Sequence, residues 1–366
     1  MKILQVITSL QIGGAEHVVV HLTKLLRKKG HVVDVVVFNG EETAFMQELE
    51  ETGCRIYKFG RGFYNLSYIP KLRKIMREYD IIHTHNSSPQ LFAAIANIGL
   101  GKVLITTEHS TNNRKREHPM FSLVDKWMYG RYAKVVTISK IAEEKLCSYL
   151  GLESNQPNSP LQRRIVTINN GVDVNAFYHA EDLLGMDHQG KFITVMVAGF
   201  RKAKDQETVI RAIALLPDEY ELWLVGDGVR RPEIEAEIVK QNVTERVKLL
   251  GIRSDVSQIL KSADVIVMSS HWEGLSLSNI EGMSSGKPFV ASEVNGLKEV
   301  TAGYGILFPH GDAESLANVI KKLHDDSAYY RQVADRCYQR ALQYDIRKMV
   351  DAYEQVYKEL FDSYRA

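Results

Sequence analysis

The sequence predicts an α/β fold in which two domains are each built around a doubly wound parallel sheet. Three observations predict it. Short apolar strands alternate with amphipathic helices along most of the chain, the pattern of repeated βαβ units. The chain has 366 residues, and at about 150 residues per domain this accommodates two. The alternation breaks at residues 153–160, rich in Asn, Pro and Ser, and then resumes.

The elements follow in order. Ile3–Thr8 reads as a first strand. Gly13-Gly14 turns the chain, and Ala15–Lys29 is an amphipathic helix ended by Gly30. Val32–Phe38 is a β-branched run, Ile56–Phe59 a short strand and Ile69–Glu78 a helix. Ile81–Thr84, Val103–Thr107 and Val135–Ile138 are further strands. After the break comes Arg164–Ile168, then Asn169-Asn170-Gly171-Val172-Asp173, an Asn-Gly turn and the candidate crossover. The second series has strands Phe192–Val197, Glu221–Val225, Val247–Leu250, Val265–Met268 and Phe289–Ala291. A last helix covers about residues 345–364.

Composition narrows the class. Hydrophobic residues make up 45% and charged residues 25%, as in soluble globular proteins. No apolar run approaches the ~18 residues of a membrane span, and the first residues read as a strand rather than a signal peptide. Cys54, Cys147 and Cys337 are odd in number and widely spaced. That pattern predicts free thiols in a reducing cytosol and no metal motif. The net charge of +1 hides an asymmetry: residues 1–168 carry 23 Lys and Arg against 15 Asp and Glu, residues 169–366 carry 23 against 30. A basic half predicts an anionic partner, either an anionic membrane or a phosphate-bearing acceptor. No nucleic-acid motif is present, so nucleic acid is not the expected partner.

Ligands of doubly wound sheets bind at the carboxyl ends of the strands, so polar residues there are the candidates. Gly13-Gly14-Ala15-Glu16 opens a helix, where glycine lets a backbone approach a phosphate. Glu16 itself reads as an exposed first-turn acid. The turn is not a dinucleotide fingerprint, and no P-loop occurs. Phe200-Arg201-Lys202-Ala203-Lys204-Asp205 follows a strand, and its three cations form either a diphosphate clamp or a solvated basic loop. Gly226-Asp227-Gly228 gives another tight turn. His109 follows the strand Val103–Thr107, and His83 and His85 flank a strand end without a third metal ligand. Most informative are Glu273 and Glu281, in a glycine-bearing turn between the strand Val265–Met268 and a helix. Ser278 and Glu281 also fit a capping box, which leaves Glu281 either a cap or a ligand-binding carboxylate.

The assembled pattern resembles glycosyltransferase family 4, the retaining group 1 glycosyltransferases of GT-B fold. The resemblance covers nearly the whole chain. It rests on Glu273 and Glu281 as a Glu-x7-Glu motif, on Gly13-Gly14-Ala15-Glu16, Asn170-Gly171-Val172-Asp173 and Gly226-Asp227-Gly228, and on Leu250-Gly251-Ile252-Arg253 and Gly303-Tyr304-Gly305. It implies two Rossmann-like domains facing a central cleft. Residues 1–168 would bind the acceptor and 169–345 the nucleotide sugar, and 346–366 would cross back to the first domain. It implies that Glu281 binds the ribose, and that Glu273, with the backbone of Gly274, Leu275 and Ser276, holds the donor sugar and diphosphate. Gly14 and Lys204 would meet the diphosphate, Ile252 and Arg253 the base. His109 would lie beside the reacting carbon, so His109 and Glu273 are the expected catalytic residues. One departure stands out: the family arginine five residues before the lysine is Gly199 here. Arg201, or else Lys202, takes its role. Gly282 stands where Ala is usual.

The expected reaction is transfer of a hexosyl group from a nucleoside diphosphate sugar, UDP-sugar favoured over GDP-sugar, to a glycan or lipid-linked acceptor in surface polysaccharide synthesis. Cations would replace a metal, so no metal or other cofactor is expected. Two alternatives remain: a GT-B sugar-nucleotide 2-epimerase and a non-catalytic nucleotide-sugar-binding protein. Asn112–Phe121, and Lys71, Arg73, Lys74 and Arg77 beside Phe63, Tyr64 and Tyr68, mix cations with apolar side chains. They read as a peripheral contact on the cytoplasmic membrane face or a lipid-diphosphate acceptor site, or equally as a solvated basic face.

Overall fold

A computed structural model describes residues 1–11, 13–109, 119–152, 159–183, 190–273 and 277–365; the side chains of 119–121 are not described. It divides into two compact units. One comprises Met1–Gly171 with Ile346–Ala366, the other Val172–Asp345.

The first unit holds strands β1 (Lys2–Ile7), β2 (Val32–Asn39), β3 (Ile56–Gly60), β4 (Ile81–His85), β5 (Val103–Glu108), β6 (Lys134–Thr137) and β7 (Ile165–Thr167). All pair in parallel, in the order β3-β2-β1-β4-β5-β6-β7. A parallel sheet is covered on both faces, which is why its strands read as apolar runs rather than alternating ones. One face packs Leu4, Val36, Ile82 and Leu104 against Leu72, Met76 and Phe92. The other packs Ile3, Val33, Ile81 and Ile105 against the last helix, Ile346–Arg365. That helix buries Ile346, Met349, Val350, Tyr353 and Tyr357, at the i, i+3, i+4, i+7, i+11 positions of one helical stripe, which faces the sheet.

The second unit holds β8 (Phe192–Val197), β9 (Tyr220–Val225), β10 (Val247–Gly251), β11 (Val265–Met268), β12 (Phe289–Ser292) and β13 (Ile306–Phe308). They are parallel, in the order β10-β9-β8-β11-β12-β13. Several helices start on acidic caps: Asp173, Asp205, Asp312 and Asp326 accept from backbone N–H groups of the first turn, each contributing about 1 kcal/mol.

The strand order reverses between β1 and β4 in one unit and between β8 and β11 in the other. Those reversals open crevices at the strands' carboxyl ends, the places where such sheets take ligands.

Some elements escape sequence periodicity. Helices Ala44–Glu50 and Ser87–Ala96 and strand β13 are additions to the sequence reading. Two side-chain readings change. Tyr68 is a core residue at 2% exposure. Arg73 donates to the Ala96 and Ile98 carbonyls at the end of helix Ser87–Ala96, so it closes a helix terminus instead of joining a basic face.

Candidate active site

In the second unit, the loops after β8 and β11 meet at the strand-order reversal. Lys204 and Ser270 form an isolated antiparallel bridge. Asp205 N–H donates to the Ser269 carbonyl (3.1 Å), and His271 N–H to that of Ala203 (2.9 Å). This backbone clip brings together two segments far apart in sequence, and Lys204 Nζ forms a tight ion pair with Glu273 across it. Ser270 Oγ lies 3.4 Å from the same carboxylate oxygen. Lys204 and Glu273 side chains are 16% and 17% exposed, so water screens the pair less than a surface one.

Glu281 lies on the helix Leu277–Ser284. Ser278 is the second residue inside that helix rather than its cap, so the capping-box reading of Glu281 is not what forms. Among the described residues the Glu281 carboxylate has no hydrogen-bond or ion-pair partner. Burial alone pushes its pKa up to about 7, because desolvation disfavours the charged form. The helix approaches the sheet closely at Gly282. A Cβ there would lie 2.8 Å from the Phe289 ring and 2.9 Å from Ile266 Cγ2, so glycine in place of alanine fits tight helix–sheet packing.

A pocket of about 220 Å³ opens at the ends of β8, β9 and β10. Ala198, Gly199, Gly226, Ile252, Arg253 and Ser278 are among its walls. Gly226 makes the corner: its φ is +134°, and a Cβ would fall 2.2 Å from the Ala198 carbonyl oxygen, so any side chain is strained and obstructed there. Ile252 is 85% exposed, a bare aliphatic face at the pocket wall. Arg253 is committed to Asp255 at 2.8 Å. Arg201 and Lys202 are both exposed, on the turn that leads to Lys204. Gly274, Leu275 and Ser276 lie outside the described residues. The structure therefore groups Lys204 with Glu273, and Ile252 and Arg253 in one pocket with Ser278, one turn before Glu281.

Sequence reasoning missed the partners that hold these groups. Asp205 caps the helix Gln206–Ala214 and accepts from Ser269 Oγ (3.1 Å), which ties the two loops together. Arg230 donates to the Lys204 carbonyl (3.3 Å) and pairs with Glu207. An acid immediately after the lysine, at a helix start, is the local signal that identifies Asp205.

In the first unit, Gly14 opens the helix Gly14–Lys28, with Gly13 extended and no side-chain cap. A Cβ at Gly14 would meet nothing within 4 Å. Glu16 is half-buried instead of exposed: its carboxylate folds over Gly13, and burial raises its pKa. His109 ends a neutral chain of hydrogen bonds. Gln5 Oε1 lies 2.8 Å from His85 Nε2, and His85 Nδ1 lies 2.8 Å from His109 Nε2. His83 is held by Tyr357 at 2.7 Å and Thr107 at 2.8 Å. Burial lowers the pKa of all three histidines, His109 to about 3, so they are neutral at physiological pH. Gln5 accepts from His85 Nε2–H, which leaves Nδ1 to accept from His109. His109 Nδ1 then carries a lone pair with no partner among the described residues.

Two family models match the chain: "Glycosyltransferase Family 4" over residues 12–176 and "Glycosyl transferases group 1" over residues 191–326. An Escherichia coli relative, UDP-Gal:alpha-D-GlcNAc-diphosphoundecaprenol alpha-1,3-galactosyltransferase, is 28% identical over 84% of this chain and 82% of its own. The N-acetyl-alpha-D-glucosaminyl L-malate synthase of Bacillus anthracis is 23% identical over 95% and 94%. Among solved structures, Anabaena HepE in complex with UDP superposes with a TM-score of 0.81 at 22% identity, covering 98% of this chain and 100% of that one. A glycosyltransferase from Rickettsia africae superposes with a TM-score of 0.83 at 18% identity, covering 98% of each. The fold is that of GT-B glycosyltransferases.

Proposed function

The chain belongs to the family 4, group 1 glycosyltransferases and is an enzyme of that kind, and from that premise we propose that it moves a hexosyl group from a nucleoside diphosphate sugar to a glycan or lipid-linked acceptor, with retention, in surface polysaccharide synthesis. A UDP-sugar is the favoured donor. The E. coli relative named for UDP-Gal and a diphosphoundecaprenol acceptor, and a lipopolysaccharide core biosynthesis glycosyltransferase of Rhizobium meliloti at 29% identity, support that reading. The observation that carries it is the Lys204–Glu273 pair at the strand-order reversal, with a sheltered Glu281, without a partner among the described residues, on the helix that follows.

Each group has a role its chemistry suits. Breaking the glycosidic bond builds negative charge on the departing diphosphate. Lys204 and Arg201 supply positive charge where it grows, which lowers the barrier. Glu273 holds the Lys204 ammonium in place before the donor arrives and accepts from donor-sugar hydroxyls. Glu281 accepts from the ribose hydroxyls, and Ile252 lies against the base. For Gly14 we propose a diphosphate contact. For His109 we propose a contact to the sugar, with the neutral Nδ1 lone pair accepting from a hydroxyl. The chemistry needs no metal, because these cations carry the leaving group. On the first unit, exposed Phe63, Tyr64 and Leu66 with Lys71, Lys74 and Arg77 form the proposed contact with an anionic, lipid-bearing acceptor surface.

Hydrolysis of a panel of UDP- and GDP-sugars by the purified protein tests the donor. The expected result is release of the sugar with retained anomeric configuration from one UDP-sugar, lost in Glu273→Ala. Inversion, epimerisation at C2, or full activity in both Glu273→Ala and Glu281→Ala overturns the assignment. Salt-sensitive co-sedimentation with vesicles containing anionic lipid is expected of the basic face; no binding refutes that part.

A further inference from the structure

The backbone clip that presents Lys204 and Glu273 carries a second cluster, outside the roles given above. Asp205, His271 and His310 converge so that one ligand atom from each lies within 4.8 Å of the others. His271 Nδ1 is 2.8 Å from His310 Nε2, and His310 Nε2 is 4.0 Å from Asp205 Oδ2. The three come from separate parts of the second unit: the turn before helix Gln206–Ala214, the turn after β11, and the loop after β13.

We infer that Asp205, His271 and His310 bind one divalent transition-metal ion, zinc by preference, which staples the two segments that hold the Lys204–Glu273 pair. Two imidazole nitrogens and one carboxylate oxygen suit zinc, cobalt or nickel. Magnesium and calcium take oxygen ligands instead. Zinc bonds of about 2.0–2.2 Å place neighbouring ligand atoms about 3.4 Å apart in a tetrahedron. The histidine pair therefore opens, and His310 and Asp205 close, by about half an ångström each, while Asp205 and His271, within 4.8 Å of each other, close by at most about 1.4 Å. Solvent completes the fourth position, since both histidines are exposed. Asp205 is already aimed: its Oδ1 caps Thr208 N–H at 3.2 Å and its Oδ2 accepts from Ser269 Oγ at 3.1 Å. Such outer bonds orient a metal-binding carboxylate.

The position gives the ion its consequence. Asp205 follows Lys204 directly, and His271 precedes Glu273 by two residues. A metal bond across the clip thus fixes the spacing of the two catalytic loops without touching the leaving group. The ion is a staple and not a reactant, so this inference stands apart from the donor assignment.

Titration of chelator-stripped protein with cobalt, read by its visible d–d absorption and followed by zinc displacement, tests it. The expected result is one cobalt per chain in a four-coordinate spectrum, with zinc raising the melting temperature by several degrees. His310→Ala should weaken cobalt binding at least ~30-fold and abolish the thermal shift, as should Asp205→Asn, in which asparagine still caps the helix. Circular dichroism checks that both variants fold. Absence of stoichiometric binding, or binding unchanged in folded His310→Ala, overturns the inference. Donor hydrolysis in the metal-free protein separates the two proposals: it persists if the donor site is right and the ion is only a staple.

Discussion

The two units share one strand order and differ in what they place at its reversal. At the β8/β11 reversal the groups are charged or titrate near neutrality: Lys204 paired with Glu273, and Glu281 with its pKa near 7. At the β1/β4 reversal they are neutral: Gln5, His85 and His109 are bonded in series, His83 is held by Tyr357 and Thr107, and burial keeps the three histidines uncharged. The same topology thus carries one charged site, proposed to take the diphosphate and ribose, and one neutral site, proposed to meet hydroxyl groups. The difference comes from partners and burial, not from the backbone plan.

Removing the charge at the first of these should have the largest effect. Lys204→Ala is expected to lower kcat of sugar transfer by about 10²–10³-fold, the range for losing one electrostatic group in a transition state. Melting temperature should change little. Steady-state kinetics beside calorimetry would show this, and a large loss of stability with unchanged kcat would make Lys204 a structural residue.

The neutral network should respond in the opposite way. His83→Leu leaves the Tyr357 and Thr107 hydroxyls without their histidine partner, at a cost of about 1–3 kcal/mol. That corresponds to a fall of several degrees in melting temperature by calorimetry, with a kcat effect well below that of Lys204→Ala. Equal kcat losses in the two variants would erase the contrast.

The smallest effect concerns Cys54. Burial pushes its thiol up to about 12, so almost no thiolate forms at pH 8. Alkylation of native protein should leave Cys54 unmodified, while half-buried Cys147 reacts faster. Rapid Cys54 labelling, read by peptide mass, would mean that the first unit opens readily.

How far the sequence foretold this depends on the range of each signal. β2, β8 and β11 are β-branched runs legible on their own, and helix Gly14–Lys28 shows an apolar stripe. Helix Ser87–Ala96 carries Leu, Phe, Ile and three alanines on most of its faces, so it lacks the contrast that periodicity needs. β13 has only three residues. The site divides the same way. Glu273, Glu281 and Lys204 were visible as residues beside glycine turns. Their pairing was not, because β8 and β11 are neighbours in the sheet but not in the chain. Ser278 misled: a Ser-x-x-Glu spacing fits a helix start, but the helix already begins at Leu277, which places Ser278 inside it.

The central claim is that Glu281 is a nucleotide-binding carboxylate held uncharged below neutrality by burial. Its folded pKa is raised to about 7, so the free protein keeps it protonated below that value and ionises it only as pH rises through about 7. Ribose hydroxyls donating to it favour the ionised form and lower that pKa. Calorimetric titration with the active UDP-sugar from pH 5.5 to 8.5 tests this directly, because a sugar-nucleotide diphosphate does not itself titrate there. The account predicts affinity that rises with pH, by up to about tenfold per unit, and levels off above about 7, with Glu281→Gln weaker and flat. A flat wild-type profile, or a Glu281→Gln profile that matches the wild type, would contradict it.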